Sequence, residues 1–422
     1  MDTTHRHRRR RPPAVAAALA GLVLGIVPAS HATAETPAAT TPPPSDSSPS
    51  PTTATPGSTL PPPETAPFEE AVGGAALGTV GAVVADPEAD APPTVDALAW
   101  IVADADSGDV LAAFNAHQPR PPASTIKLLT ALASRPEIDP DGEYVATDAD
   151  AAVEGSRVGL APGQTYSVDD VMHGLFLASG NDAAHAVGEL AGGQDAVVDL
   201  MNDEAARIGA FDTHAATPHG LDTPGQVSSA YDLALIGRHV LDDDALAELA
   251  RTTSYDFPGL DGESFQIQNQ NRLLDDYDGA IGLKTGFTTE GAHTLVAAAE
   301  RDGRRLIAVV LGSDGRGEDS AAPLLDWGFA TGETAEPVGH LVSADEVATA
   351  IDERDNGDVL GDPLHDYEDV LNEPAATSGN VPNVVWVSLA AAVAAGGIAL
   401  AVRRRPGRAA RTGRYASSRR SS

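Results

Sequence analysis

Apolar patterns typical of β-strands occur at both ends of residues 91–332, and patterns typical of helices fill the stretch between them. The strand patterns lie at 97–104, 110–114, 279–285, 294–299 and 304–311. The last two are joined by Asp302-Gly303, a dipeptide typical of tight hairpins. This order predicts an α/β (α+β) domain in which one antiparallel sheet is assembled from both ends of the segment, with helices packed on its faces.

The segments that flank 91–332 have compositions unlike that of a folded core. Residues 1–34 combine an arginine-rich start, an apolar stretch and a small-residue cleavage pattern, which together predict a signal peptide. Residues 35–90 are predicted to be a disordered spacer rich in Pro, Thr, Ser and Ala, although the apolar, glycine-rich part at 68–90 receives no firm assignment. Residues 333–381 are acidic and punctuated by Pro and Gly, which predicts a stalk.

A second apolar stretch predicts a transmembrane helix at 382–402. From Val384 to Val402 the chain has nineteen residues without a charge. As a helix this stretch extends about 28 Å, close to the hydrocarbon thickness of a bilayer. Arginines follow at once, so the positive-inside rule places the basic tail, 403–422, in the cytoplasm and the preceding domain outside. The competing interpretation is a buried Ala-rich helix, which the eight arginines of the tail argue against.

The part of the chain between these two ends is strongly acidic. The chain has 27 Lys+Arg and 61 Asp+Glu, and 13 of the basic residues but only one acidic residue lie in 1–34 and 403–422. The remaining 14 basic and 60 acidic residues exclude nucleic acid as a partner, since few cations are left to neutralise phosphates. We hypothesise a salt-rich habitat, which predicts that activity and melting temperature depend on salt up to molar levels. The absence of cysteine excludes disulfides and thiolate chemistry.

Three short motifs occur in the chain, in an order and at wide spacings that allow the elements carrying them to converge on one cleft. They are Ser124-Thr125-Ile126-Lys127, Ser179-Gly180-Asn181 and Lys284-Thr285-Gly286. Each motif alone is common, because Ser-x-x-Lys is usually a helix cap with a solvated lysine. However, the lysines of the first and third motifs are the two lysines of the chain. Arginine cannot release its proton at any relevant pH whereas a desolvated lysine can, so the pattern indicates a need for an amine.

The first motif predicts a nucleophile and its base. Ser124 and Lys127 are three residues apart, so on a helix their side chains lie on one face and the amine can reach the hydroxyl. A serine hydroxyl is a poor nucleophile until a base accepts its proton. Burial and the nearby charge of Lys284 would lower the pKa of Lys127 and make it such a base.

The other motifs predict proton transfer and substrate binding. Ser179, held in line by Asn181, can pass a proton to the leaving amine. Lys284 and Thr285 can supply a charge and a hydroxyl to a substrate carboxylate. Gly286 lets the strand backbone approach the substrate closely. The backbone N–H groups of Ser124 and Phe287 are expected to form the oxyanion hole.

These extended motifs resemble those of the serine-type D-alanyl-D-alanine carboxypeptidases, the low-molecular-mass penicillin-binding proteins. The matching segments are 122–127, 178–184, 219–222 and 282–288. The resemblance implies the fold shared by β-lactamases and penicillin-binding transpeptidases, and an acyl-enzyme on Ser124. It also implies the D-Ala-D-Ala end of the peptidoglycan pentapeptide stem as substrate and covalent inhibition by β-lactams. No metal or organic cofactor is expected, and the histidines show no metal-ligand spacing such as His-Glu-x-x-His.

Some positions depart from the family pattern or admit two interpretations. Phe287 stands where some members have histidine, and residues 333–381 are too short to supply the further β-rich domain of many members. His219 belongs either to the cleft or to a loop that anchors the Gly220 turn. A class A-like β-lactamase is the nearest alternative, but 211–231 lacks the glutamate such enzymes use for deacylation. A non-catalytic protein that binds the wall or senses penicillin is the other, and the intact lysines argue against it.

Overall fold

The central sheet joins strands from both ends of the described chain, as the apolar patterns predict. In the computed structural model, which describes residues 63, 65–85, 91–331 and 336–360, the strands are β1 (Ala82–Val84), β2 (Ala99–Asp104), β3 (Asp109–Phe114), β4 (Glu143–Val145), β5 (Thr165–Ser167), β6 (Ser254–Pro258), β7 (Ser264–Gln268), β8 (Ala280–Thr288), β9 (Ala292–Arg301), β10 (Arg304–Ser313) and β11 (Gly339–His340). The helices are α1 (Lys127–Ser134), α2 (Asp148–Ala152), α3 (Val168–Phe176), α4 (Asn181–Leu190), α5 (Gln194–Ile208), α6 (Ala230–Asp242), α7 (Asp244–Arg251), α8 (Leu273–Asp276), α9 (Gly317–Thr331) and α10 (Ala344–Leu360). The five strand patterns of the sequence correspond to β2, β3, β8, β9 and β10.

The main sheet is antiparallel, with strand order β1-β3-β2-β10-β9-β8, and β11 also pairs with β3. The join between early and late strands is β2 with β10, where Asp104 faces Leu306 and Ala99 faces Leu311. The predicted hairpin between β9 and β10 is confirmed. Asp302 and Gly303 have φ angles of 53° and 82°, the left-handed pair that this tight turn requires. β8 ends the sheet and keeps one edge free of strand partners within the described residues.

Successive side chains of the sheet enter two separate cores, because strand residues alternate between faces. On one face, Val102, Leu295 and Val310 pack with Leu324 and Leu325 of α9. On the other face, the alternate residues of the same strands join a larger core to which α1, α3, α4, α5 and α6 contribute. The sheet is therefore a middle layer, and α1 lies in the core that faces most of the helices.

Three of the helices show residues that satisfy free backbone groups at one end. Ser167 accepts a hydrogen bond from the N–H of Asp170, and the Asp170 carboxylate accepts from the N–H of Ser167 in return, which starts α3 with a capping box. Ser229 accepts from the N–H of Asp232 at the start of α6. α5 ends at Ile208 and is followed by Gly209, whose φ of 93° is the left-handed conformation that favours glycine.

The predicted spacer 35–90 is wrong at residues 65–85, which we call the leading segment. Val72 and Leu77 are buried, Leu77 to 1% exposure, and β1 pairs with β3 so that Ala82 faces Phe114. This segment cannot form a core by itself. It is ordered because the edge of β3 and the helical layer supply the apolar and hydrogen-bonding partners that its own composition lacks.

The predicted stalk 333–381 is also wrong in part, because the closing segment (residues 336–355) packs on the domain. β11 pairs with β3, and Leu341, Val342 and Val347 are buried in the main core. α10 then follows with its first turn carrying Asp345 and Glu346, the acidic residues that a helix N-terminus favours. The folded domain thus extends beyond the predicted limits 91–332 on both sides.

One buried group of polar side chains joins both segments to the domain. This group, the His117 cluster, consists of His117, Asp212, Asp232 and Tyr231. The ring of His117 donates from Nε2 to the carbonyl of Val72 at 3.0 Å, and its Nδ1 lies 2.7 Å from Asp212. The Tyr231 hydroxyl donates to the carbonyl of His340 and accepts from the N–H of Val342, both at 3.0 Å.

Three further predictions lie outside the described residues: the signal peptide at 1–34, the transmembrane helix at 382–402 and the basic tail at 403–422. Within the part that is described, none of the helices combines the length and the apolar character needed to cross a membrane.

Candidate active site

Ser124 lies in a tight turn directly before α1. The turn is a 3-10 helix, Ala123–Ile126, and Ala123 has a φ of 51°, uncommon for a residue with a side chain. In a 3-10 helix residues three apart are eclipsed, so the Ser124 hydroxyl and the Lys127 side chain point the same way. Gly220 presses on this turn, since a Cβ there would lie 2.1 Å from the carbonyl oxygen of Ala123. The structure therefore permits only glycine at position 220.

The Lys127 amine is surrounded by three oxygen atoms and is almost fully buried, with 1% exposure. Its Nζ lies 2.9 Å from Ser124 Oγ, 2.7 Å from Asn181 Oδ1 and 2.5 Å from the carbonyl oxygen of His219. Burial places the pKa of Lys127 well below its usual value, and the charge of Lys284 lowers this pKa further while the charge of Asp182 opposes the shift. The geometry thus brings together the predicted nucleophile and its predicted base.

The second motif lies at the start of α4. Ser179 is buried, has a φ of 55° and lines the cleft together with Ser124. The Asn181 amide donates from Nδ2 to the carbonyl of Glu154 at 2.6 Å, which leaves Oδ1 to face Lys127. The orientation of the amide is therefore set by its hydrogen bonds on both sides.

The third motif is on β8, the last strand of the sheet. Gly286 packs against the start of the Ser124 turn, because a Cβ at this position would lie 2.7 Å from the backbone nitrogen of Ser124. Thr285, Gly286 and Phe287 line the cleft, and the Phe287 side chain is 61% exposed. Lys284 is different: it is buried to 2% exposure and is not among the residues that line the cleft. Its amine donates to the carbonyl of Thr285 at 3.0 Å, and burial lowers its pKa to about 7.

The cleft between these motifs has a volume of about 270 Å³. Its lining includes residues for which the sequence analysis had no role, namely Ser156, Gln270, Arg272, His293, Thr294, Arg316, Gly317 and Glu318. Arg316 and Arg272 are cations on the wall of a cleft in a protein with a net charge of −34, which suits an anionic group of a ligand. A sequence signal for Arg316 exists: it follows β10 in a Gly-Arg-Gly loop, at the same edge as the motifs.

His219 contributes to the site with its backbone and to its own turn with its ring. Its carbonyl oxygen contacts Lys127, whereas its Nδ1 accepts a hydrogen bond from the N–H of Leu221 at 3.3 Å. Burial, together with the charge of Lys127, lowers the pKa of His219 to about 4, so the ring is neutral at physiological pH. Both interpretations of this residue from the sequence thus hold in part.

Residues 86–315 match the model of peptidase family S11, the D-alanyl-D-alanine carboxypeptidases. The D-alanyl-D-alanine carboxypeptidase DacB2 of Mycobacterium tuberculosis is 46% identical over 256 residues, which are 59% of this chain and 87% of that protein. DacD of Escherichia coli is 40% identical over 253 residues, which are 56% of this chain and 64% of that protein.

Solved structures show the same fold. A D-alanyl-D-alanine carboxypeptidase from Mycobacterium tuberculosis aligns with a TM-score of 0.57 and 44% identity, covering 59% of this chain and 97% of that one. The Streptomyces K15 DD-transpeptidase aligns with a TM-score of 0.54 and 27% identity, covering 57% of this chain and 99% of that one. The predicted fold class is confirmed.

Proposed function

This chain belongs to the D-alanyl-D-alanine carboxypeptidase family and is a serine carboxypeptidase of that class acting on peptidoglycan, and we propose that it works through an ester on Ser124 formed with Lys127 as base. The observation that carries the proposal is the set of three oxygens around the Lys127 amine. A neutral amine has two N–H donors and one lone pair. Asn181 Oδ1 and the His219 carbonyl can only accept, so they take the two donors, and the lone pair faces the Ser124 hydroxyl.

The acylation step follows from this arrangement. As Ser124 Oγ attacks the carbonyl carbon of the penultimate D-alanine, its proton moves to Lys127 Nζ. The N–H groups of Ser124 and Phe287 stabilise the oxyanion, and the close packing of Gly286 on the Ser124 nitrogen supports this pairing. The C–N bond then breaks, the leaving D-alanine takes a proton through Ser179, and water later hydrolyses the ester.

In the proposed binding mode, the substrate lies along the free edge of β8 with its carboxylate near the cations of the cleft. An extended peptide can add to β8 as a further strand, with Thr285 and Phe287 beside it. The terminal carboxylate then pairs with the Thr285 hydroxyl and with Arg316, which lies on the cleft wall. Lys284, being buried, acts on this site through its charge on Lys127, which differs from the direct contact with the carboxylate that the sequence analysis predicts.

The test is covalent trapping on Ser124. After exposure of the full chain to a β-lactam, we expect mass spectrometry to find one adduct, on Ser124. We also expect Ser124→Ala to abolish both labelling by fluorescent penicillin and D-alanine release from diacetyl-lysyl-D-Ala-D-Ala, by at least about 10³-fold. Ser134→Ala is the matched control, since this buried serine at the far end of α1 donates only to the carbonyl of Ala131. An adduct on another side chain contradicts the proposal.

We further propose that the chain is attached to the membrane through 382–402, with the domain on the extracytoplasmic side. The uncharged apolar stretch and the arginines that follow it support this proposal. The full chain is expected in the membrane fraction, and a chain that ends at residue 360 in the supernatant. A full chain that stays in the supernatant contradicts the attachment.

A further inference from the structure

Asp182 is a buried carboxylate next to the site that the proposed reaction does not use. It is 0% exposed, and none of the ion pairs found among the described residues includes it. Its two oxygens instead accept four backbone hydrogen bonds, from Val158 (3.0 Å), Gly159 (2.8 Å), Leu160 (3.0 Å) and Ala183 (2.9 Å). Four N–H donors and the start of α4 stabilise the anion without a cation.

Three of these donors belong to one loop, residues 154–160, which also holds Asn181. The carbonyl of Ser156 accepts from the backbone N–H of Asn181 at 2.7 Å, and the carbonyl of Glu154 accepts from its Nδ2 at 2.6 Å. The loop and the start of α4 therefore bind each other in both directions. The loop also packs closely on Asn181 at one point, since a Cβ on Gly155 would lie 2.7 Å from Asn181 Nδ2.

The contacts continue from the loop to the nucleophile. The loop sets the orientation of the Asn181 amide, Asn181 Oδ1 accepts from Lys127, and Lys127 contacts Ser124. The same loop brings Ser156 to the wall of the cleft. Removing the four hydrogen bonds of Asp182 would therefore disturb residues that Asp182 itself does not touch.

Asp182 also acts on Lys127 through its charge. Three ionisable groups bear on the Lys127 amine: Lys284 on β8, Asp182 on α4, and the ring of His219 in the loop before α6. The His219 ring is neutral at physiological pH. Lys284 lowers the pKa of Lys127 and Asp182 raises it, so these two side chains act in opposite directions.

We propose that Asp182 is a positioning residue of the carboxypeptidase reaction, which holds loop 154–160 on the start of α4 and thereby fixes the Asn181 amide against Lys127. The proposal rests on the proposed function, in which Lys127 is the base for Ser124.

Two variants, Asp182→Asn and Asp182→Glu, distinguish the effect of the Asp182 charge from the effect of where its oxygens lie. In Asp182→Asn the side chain keeps its shape but presents an N–H₂ group to two of the four donors. We expect the rate of acylation by fluorescent penicillin at pH 7 to fall by up to about 100-fold. The acid limb of the rate–pH profile should move to lower pH, because loss of a nearby negative charge lowers the pKa of Lys127. Asp182→Glu keeps the charge and displaces the oxygens, so its rate should fall while its acid limb stays near the wild-type pH.

Asp170→Asn is the matched control, since Asp170 is also a buried carboxylate at a helix start and accepts from Ser167. It should lower the melting temperature but leave the rate and the acid limb unchanged. An Asp182→Asn protein with wild-type rate and profile overturns the proposal, and so does an equal shift in Asp170→Asn. If wild-type protein carries no adduct on Ser124, the proposed function itself fails.

Amide hydrogen exchange of the wild-type chain keeps the proposal testable should Asp182→Asn not fold. The N–H groups of Val158, Gly159 and Leu160 should exchange as slowly as those in the interior of α4, because the Asp182 carboxylate binds all three. Exchange at the rate of an exposed loop overturns the proposal.

Discussion

The cleft and the His117 cluster each have a pair of ionisable side chains of like charge close together and buried from solvent. The consequence of this burial differs between the two places. Beside the cleft, Lys127 and Lys284 are both buried, and the pKa of each is lowered. In the His117 cluster, Asp232 is buried beside Asp212, and burial together with the Asp212 charge holds the pKa of Asp232 well above its usual value. Burial and a neighbouring like charge thus favour the uncharged form of Lys127 in one pair and of Asp232 in the other.

The difference lies in what the uncharged form faces. In the proposed reaction a neutral Lys127 turns its lone pair to the hydroxyl of Ser124, which lines an open cleft. The carboxyl of Asp232 is 1% exposed and accepts from the hydroxyl of Thr213 at 2.7 Å, in the cluster whose His117 and Tyr231 bind the leading and closing segments. Like-charge burial thus makes a reactive group only where the group faces a substrate site. At Asp232, which faces no such site, its consequence is a dependence of stability on pH.

Among the variants that test this comparison, Lys127→Arg is expected to have the largest effect on activity. A guanidinium keeps the positive charge but cannot accept a proton at any relevant pH, so kcat/KM for D-alanine release should fall by at least about 10³-fold. Lys284→Arg is the control, because the role of Lys284 is its charge, and its loss should be smaller. Equal losses in the two variants would mean that proton acceptance is not specific to Lys127.

Lys284→Gln should shift the pH dependence. Removing the like charge raises the pKa of Lys127, so the acid limb of the kcat/KM profile should move to higher pH, opposite to the shift in Asp182→Asn. Because the pKa of Lys284 itself is about 7, its charge is fully present only below that pH, and the shift should shrink above it. An unchanged limb measured from pH 5 to 9 would show that the two lysines do not interact.

Asp232→Asn is expected to have the smallest effect on activity of these variants, and its main effect should be on the free energy of unfolding. With its folded-state pKa raised, Asp232 binds a proton in the native state that the unfolded chain has lost, so its contribution to stability is present at low pH and is lost as pH rises. Between pH 4.5 and 7, the free energy of unfolding of the variant should therefore rise relative to that of the wild type, by on the order of 1–3 kcal/mol. Urea unfolding at several pH values measures this difference. Turnover at pH 7 should not change. A constant difference between the two proteins would show that Asp232 is ionised in both states.

The strands and motifs could be predicted from the sequence because the patterns that indicate them involve neighbouring residues. β9 and β10 are linked by a dipeptide whose left-handed φ angles suit that turn, and β2 is a continuous apolar run because both of its faces are buried. The leading and closing segments were not accessible. Their apolar residues become part of a core only against β3 and Tyr231, which lie outside both segments in the sequence.

By itself, the amino-acid sequence determined the antiparallel architecture, the pairing of Ser124 with Lys127 and the family, because period, spacing and motif are properties of neighbouring residues. Tertiary structure alone decided which groups act on that pair, the His219 carbonyl and the Asp182 carboxylate, and which cation lies on the cleft wall, Arg316. It also buried Lys284, which the sequence analysis placed against a substrate carboxylate. The physical reason is that hydrogen bonds and charges act through space, over distances that only folding makes short.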